Sequence, residues 1–175
     1  KATKKAKTIP KAAANATPSI DYSTLIDHMI TDKQCLAFVK KLAEGGMTSL
    51  LSKPGRRRKD HFTVFVPTAG MGKWKGEHLN FMLKSHIVRK SFSQEYIDER
   101  CSDHLGENGA PTVVNLRTMY GARSTASAPR TLILDCKNRT LQLGENGARV
   151  KVSLGKPHIA APNGVVYLLS KPLQW

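Results

Sequence analysis

Four consecutive cations, Arg56, Arg57, Arg58 and Lys59, form the densest chemical feature of the sequence. Guanidinium groups meet phosphate or carboxylate oxygens in pairs, so such a run suits an anionic partner. The plain alternative is a solvated loop that keeps the chain soluble. A second one-sided segment holds Lys4, Lys5, Lys7 and Lys11, with no acid before Asp21. Together the two segments would give two anchoring points on an acidic protein surface, RNA or an anionic membrane surface. Contact with phosphates would be salt-dependent and indifferent to sequence. No aromatic residues are interleaved with these cations, so a stacking platform for single-stranded bases is not expected.

Residues suited to catalysis or metal binding are sparse. Cys101 and His104 have a close spacing, but zinc takes four ligands, or three and a water. The other candidates, Cys136, His61 and His158, supply no second closely spaced pair. The acid-rich stretch from Glu95 to Asp103, with Asp98 and Glu99, reads as a solvated loop. It lacks the alternating oxygens and tight glycine turn of a calcium loop. There is no Gly-x-Ser-x-Gly elbow and no glycine-rich loop closing in Gly-Lys-Ser/Thr. The stretch Gly70-Met71-Gly72-Lys73-Trp74-Lys75-Gly76 has glycines and lysines but lacks the sequence wording of a strand–loop–helix phosphate cradle. The expectation is therefore no catalytic residue, no metal, no cofactor and no small-molecule substrate. Cys35, Cys101 and Cys136 are an odd, sparse set and not a disulfide framework. Reduced thiols are the reading preferred here, with one bridge and a free thiol as the alternative. Asn15-Ala16-Thr17 and Asn138-Arg139-Thr140 fit glycosylation sequons, which matter only in a secreted protein.

These residues are carried by 175 residues with a net charge of +15, from 28 basic and 13 acidic side chains. The length suits one domain. The charge speaks of partners and solubility, not of fold. No apolar run is long enough to cross a bilayer. The segment from Lys1 shows no signal-peptide core, which leaves secretory and organellar routes open. Residues 1–20, rich in Lys, Ala and Pro, read as a basic extension that does not fold alone. Residues 21–175 read as the folded domain.

Within that domain the first half is helical in pattern. Thr24 with Asp27, and Thr31 with Gln34, fit capping boxes. Leu36, Phe38, Val39, Leu42 and Ala43 follow helical spacing until Gly45-Gly46, and a short turn follows at Met47–Leu51. His61–Val66, closed by Pro67, reads as a buried strand. Leu79, Met82, Leu83, His86 and Ile87 make a stripe on a helix predicted over Glu77–Ile87. On that apolar face, His86 is expected to be buried and hydrogen-bonded to backbone. The second half reads as strands: Thr112–Leu116, Thr131–Cys136, Arg139–Leu143, Ala148–Leu154 and Val165–Leu169, with Asn-Gly pairs at 108–109, 146–147 and 163–164 as turns. The string GENGA at 106–110 and 144–148 reads as a reused turn and not as a domain repeat. Helices followed by a run of strands argue an α+β class.

Several of these segments, in order, resemble the fasciclin domain family. FTVFVPT at 62–68 looks like its first signature, LNFMLKSHIV at 79–88 like the following helix, LRTMYG at 116–121 like its Thr-Leu-x-Gly stretch, and NGVVYLLSKPL at 163–173 like its C-terminal signature. DYSTLIDHMI and LAFVKKLAEGGMTSLL are similar to the opening helices. The resemblance implies a fasciclin-like wedge of two β-sheets with N-terminal helices packed alongside, here with an extended basic tail. Its motif positions fall on Ser85, His86, Ile87, Asn163 and Gly164. Where the family carries tyrosine before the histidine, this chain has Ser85. Its C-terminal strand has Tyr167 and Ser170 in place of a histidine and an acid, and Ala69–Gly72 replaces the family's Asn-Glu-Ala-Phe.

The resulting expectation is a non-enzymatic interaction module. Its first form is a structural or accessory subunit of a larger organellar assembly, mitochondrial before others, meeting other protein subunits or RNA through the basic tail and loop. Its second form is a secreted or cell-surface domain in adhesion or matrix binding.

Overall fold

The computed structural model describes residues 23–55, 57, 60–102, 113–119 and 131–174. Helices α1 (Leu25–Thr31), α2 (Leu36–Glu44) and α3 (Thr48–Leu51) open the domain, and α4 (Gly76–Ser85) and α5 (Gln94–Ser102) follow the first strand. Among the described residues, eight strands form two sheets. The first contains β1 (Phe62–Pro67), β2 (Ile87–Val88), β7 (Ile159–Ala161) and β8 (Gly164–Leu169), in the order β2-β1-β8-β7. The second contains β3 (Val113–Arg117), β4 (Thr131–Asp135), β5 (Thr140–Leu143) and β6 (Val150–Lys151), in chain order. All neighbours pair antiparallel except β1 and β8. The class is α+β. Among the described residues no helix is long and apolar enough to cross a membrane.

The parallel β1–β8 pair, in register from Phe62 opposite Gly164 to Pro67 opposite Leu169, joins the two halves of the chain. Both strands are buried on two faces. Phe62, Val64, Val66 and Val166 pack under the helices with Leu25, Met29, Phe38 and Leu42. Phe65, Val165, Tyr167 and Leu169 face the second sheet and meet Leu132, Leu134, Leu141 and Leu143. A strand covered on both sides reads as a continuous apolar run, which is the pattern of FTVFV and GVVYLL. The sheets also touch through isolated bridges, Val88 to Thr118 and Val152 to Leu169.

At the start of α1, Asp27 reaches back to the backbone N–H and the hydroxyl of Thr24, both at 2.7 Å. The second expected box, Thr31 with Gln34, is not what starts α2. The turn that leads into α2 is instead held by Asp32, its Oδ1 accepting from the backbone N–H groups of Gln34 at 2.8 Å and Cys35 at 3.2 Å. The helix predicted to reach Ile87 stops at Ser85. The His86 N–H turns back to the Leu83 carbonyl at 3.1 Å, which frees Ile87 and Val88 to pair with β1. The acid-rich stretch read as a loop is instead helical, forming α5 over Gln94–Ser102.

Two further expectations are corrected. The alternation across Ala148–Leu154 does not make one strand. Lys151 and Val150 pair with β5, then Val152 crosses to Leu169 of the other sheet and the Ser153 N–H reaches the Leu168 carbonyl at 3.1 Å. The segment is shared between two sheets, so its period persists while its pairing changes. The thiols are not all reduced either: Cys101 and Cys136 are bonded, 35 residues apart in sequence, and Cys35 alone is free. Cys101 lies in α5 and Cys136 directly follows β4, so the bond ties that helix to the second sheet.

Candidate functional site

The residues singled out by their match to family motifs lie inside the molecule. His86 is fully buried. Its Nδ1 contacts the Met82 carbonyl at 2.7 Å and its Nε2 accepts from the Leu173 N–H at 3.1 Å. Its ring lies beside Trp74, with centroids 5.0 Å apart. Desolvation pushes its pKa down to about 4, against a smaller opposing effect of the Met82 hydrogen bond. The imidazole therefore stays neutral at physiological pH and joins α4 to the C-terminal segment. Ser85 is buried and donates to the Phe81 carbonyl at 2.9 Å, and Ile87 is wholly covered.

Asn163 is the most connected of the group. Its Oδ1 accepts from the Leu25 N–H at 2.7 Å, while its Nδ2 donates to the carbonyls of Leu51 at 2.7 Å and Lys53 at 2.9 Å. One side chain thus supplies a partner to the first turn of α1 and to the exit of α3, groups that helix termini otherwise leave orphaned. Gly164, with φ +149°, stands where a Cβ would run into the Phe62 backbone. Tyr167 donates to the Phe92 carbonyl at 2.9 Å. Burial, assisted by the charges of Asp98 and Glu95, pushes its phenol up to about 12. Each of these positions builds the fold and none offers a surface.

Of the cationic run, Arg57 is exposed. Arg56, Arg58 and Lys59 lie outside the described residues, as do Lys4, Lys5, Lys7, Lys11, His104, the first GENGA string and the Asn15 sequon. Cys101, weighed with His104 for a metal site and set aside, is bonded to Cys136.

A surface cleft of about 630 Å³ opens where the two sheets meet. Arg139 and Lys151 supply its charge, and Thr68, Ser153 and Ser170 supply hydroxyls. Among the described residues no acid, histidine or cysteine lines it. It can receive an anionic group. Arg139 has φ +50°, a left-handed conformation that side chains other than Asn, Asp or Gly adopt at some cost in energy.

Close to the Gln34 and Gly155 edges of this cleft, two chain-distant segments bring Asp32, Cys35 and His158 together, with one donor atom of each within 4.8 Å of the others. His158 Nε2 stands 2.8 Å from Asp32 Oδ2, and the two side chains are 24% and 27% exposed. Cys35 is fully buried behind them. Burial pushes its thiol up to about 12, and the charge of Asp32 and the hydrogen bond to it add to the effect. Burial also pulls the Asp32 carboxyl upward. The Gln34 N–H, the hydrogen bond and charge of His158, and the Cys35 N–H outweigh that and hold it below the usual carboxylate value.

No protein-family model matches the chain, and no curated protein matches it. Among solved structures it is similar to a FAS1 domain pair from the insect cell adhesion molecule fasciclin I, at a TM-score of 0.48 and 13% identity. The match covers 79% of this chain and 44% of that one, so the chain spans less than half the length of that structure.

Sequence reasoning missed the Asp32–Cys35–His158 convergence. It weighed His158 for a second close-spaced pair and found none, because its partners lie more than 120 residues upstream. The one local signal was Asp32-x-x-Cys35, a spacing that also marks a helix entry.

Proposed function

We propose that this chain is a non-enzymatic interaction module that engages an acidic partner surface through its cationic exterior. The observation that carries this reading is the cleft at the sheet junction, flanked by Arg139 and Lys151 and with no acid among its described lining residues, on a chain of net charge +15. Such a site attracts carboxylates or phosphates. The lysine-rich extension and the Arg56–Lys59 run would add contacts on the same partner. In its most specific form the proposal is a structural or accessory subunit of a larger organellar assembly.

The test is gel filtration of native extract, followed by salt titration of the recovered complex. Co-elution well above the mass of the free chain, with affinity falling steeply as salt rises, supports the proposal. The Arg139→Glu, Lys151→Glu double variant should bind more weakly and with a shallower salt dependence. Elution as a free monomer overturns the subunit reading.

The disulfide favours a second reading, a secreted or cell-surface binding domain, because such bonds persist in oxidising compartments. Asn138 is exposed on the turn between β4 and β5 and lines the same cleft. A glycan found on Asn138 by mass spectrometry would support this reading and would obstruct the cleft as a docking site.

A further inference from the structure

We propose that Asp32, Cys35 and His158 form a three-ligand site for a zinc-class divalent transition metal, with water in the fourth position. The donor set is one thiol sulfur, one imidazole nitrogen and one carboxylate oxygen. Sulfur and imidazole together favour zinc and its neighbours and disfavour calcium and magnesium, which bind through oxygen.

Backbone contacts hold each ligand in place. Asp32 Oδ1 is engaged by the N–H groups of Gln34 and Cys35, which turns Oδ2 towards His158. The Asp32 carbonyl accepts from the Cys35 N–H at 3.0 Å and the Leu36 N–H at 3.1 Å, fixing the bend that presents Cys35 at the entry to α2. His158 is anchored by its own N–H, which donates to the Val166 carbonyl at 2.8 Å. Supporting bonds of this kind orient the ligands of a metal centre before the ion arrives.

Zinc bond lengths of about 2.0–2.3 Å place tetrahedral ligand atoms roughly 3.3–3.6 Å apart. The three donors lie within 4.8 Å of one another, so side-chain rotations of about 1 Å close the set around an ion. On binding, the Cys35 thiol loses its proton to solvent and the sulfur becomes a thiolate ligand. His158 Nε2 gives up its contact with Asp32 and binds through its lone pair, with the ring proton on Nδ1. Thiolate and carboxylate together carry two negative charges, which a divalent ion neutralises. That attraction offsets the burial that keeps the free thiol protonated. Cys35 forms the buried floor of the site, and the partly exposed Asp32 and His158 form its mouth.

The plain alternative is a hydrogen-bonded helix entry, in which Asp32 binds the Cys35 thiol and His158 and no ion takes part. Titration of the full chain with Co²⁺, under non-reducing conditions that keep the Cys101–Cys136 bond, separates the two. Cys35 is then the one free thiol in the chain, so a thiolate-to-cobalt charge-transfer band reports on it alone. The expected result is such a band at one Co²⁺ per chain, with Zn²⁺ displacing the cobalt. Cys35→Ser should abolish the band. His158→Ala changes a partly exposed side chain and should fold as the parent does. It should weaken the metal by more than the roughly 10–100-fold typical of losing a supporting partner. Absence of the band at millimolar Co²⁺, or affinity unchanged in His158→Ala, would overturn the site and leave the helix-entry role. A failure of Cys35→Ser to fold would not obscure the result, because the parent's band and the His158→Ala affinity decide it.

Discussion

Two polar clusters in this protein tie together segments far apart in the chain, and they do so in opposite ways. Around Asn163 and His86, each side-chain hydrogen bond goes to backbone: the Leu25 N–H, the Leu51, Lys53 and Met82 carbonyls, and the Leu173 N–H. Around Asp32, Cys35 and His158, side chains face one another near the surface. The first arrangement is committed to the fold, since a buried backbone group left unpaired costs about 1–3 kcal/mol. The second keeps lone pairs and protons that an incoming group can use. Family-motif positions fall in the first cluster, and the capacity for chemistry falls in the second.

The contrast is broken most directly at Asn163. Asn163→Ala orphans the Leu25 N–H and the Leu51 and Lys53 carbonyls, and should cost roughly 4 kcal/mol or more. Urea unfolding followed by circular dichroism measures this, and a loss under about 1 kcal/mol would remove the committed character assigned to the cluster. On the sheet side a covalent bond does comparable work. Replacing Cys101 and Cys136 together by serine should lower stability by about 2–4 kcal/mol through the freed 35-residue separation, read in the same unfolding experiment.

His86 sharpens the comparison through pH. Its folded pKa of about 4 lies below its ordinary 6.5, so between those values the unfolded chain binds a proton that the folded chain does not. Stability is therefore full above about pH 6.5 and falls as pH drops towards 4, by on the order of 3 kcal/mol. Unfolding curves across this window measure the slope, and His86→Gln should flatten it. An unchanged slope in that variant would place the titrating group elsewhere.

The smallest effect is expected on the outer surface. Arg139→Gly relieves a positive φ and should stabilise the fold by up to about 1 kcal/mol, while removing one of the two cleft cations and weakening an anionic partner. Thermal melts and the salt titration of the complex read the two effects separately. Stability lost together with binding would make Arg139 part of the scaffold.

The sequence read alone determined the α+β class, the buried strand at 62–66, the capped entry of α1 at Thr24 and the turn at Asn163-Gly164. Each follows from local periodicity or from the conformational freedom of one or two residues, which a window of a few positions contains. It also showed the charge excess, which is a sum. What only the tertiary structure decided was where non-local partners meet. The 148–154 segment divides between two sheets, Cys101 finds Cys136, and Asp32 with Cys35 finds His158. Pairing across tens of residues depends on chain topology, and no local pattern encodes it. The parallel alignment of β1 with β8 brings the C-terminal segment of the chain back against the N-terminal helices, and in doing so sets His158 beside Asp32.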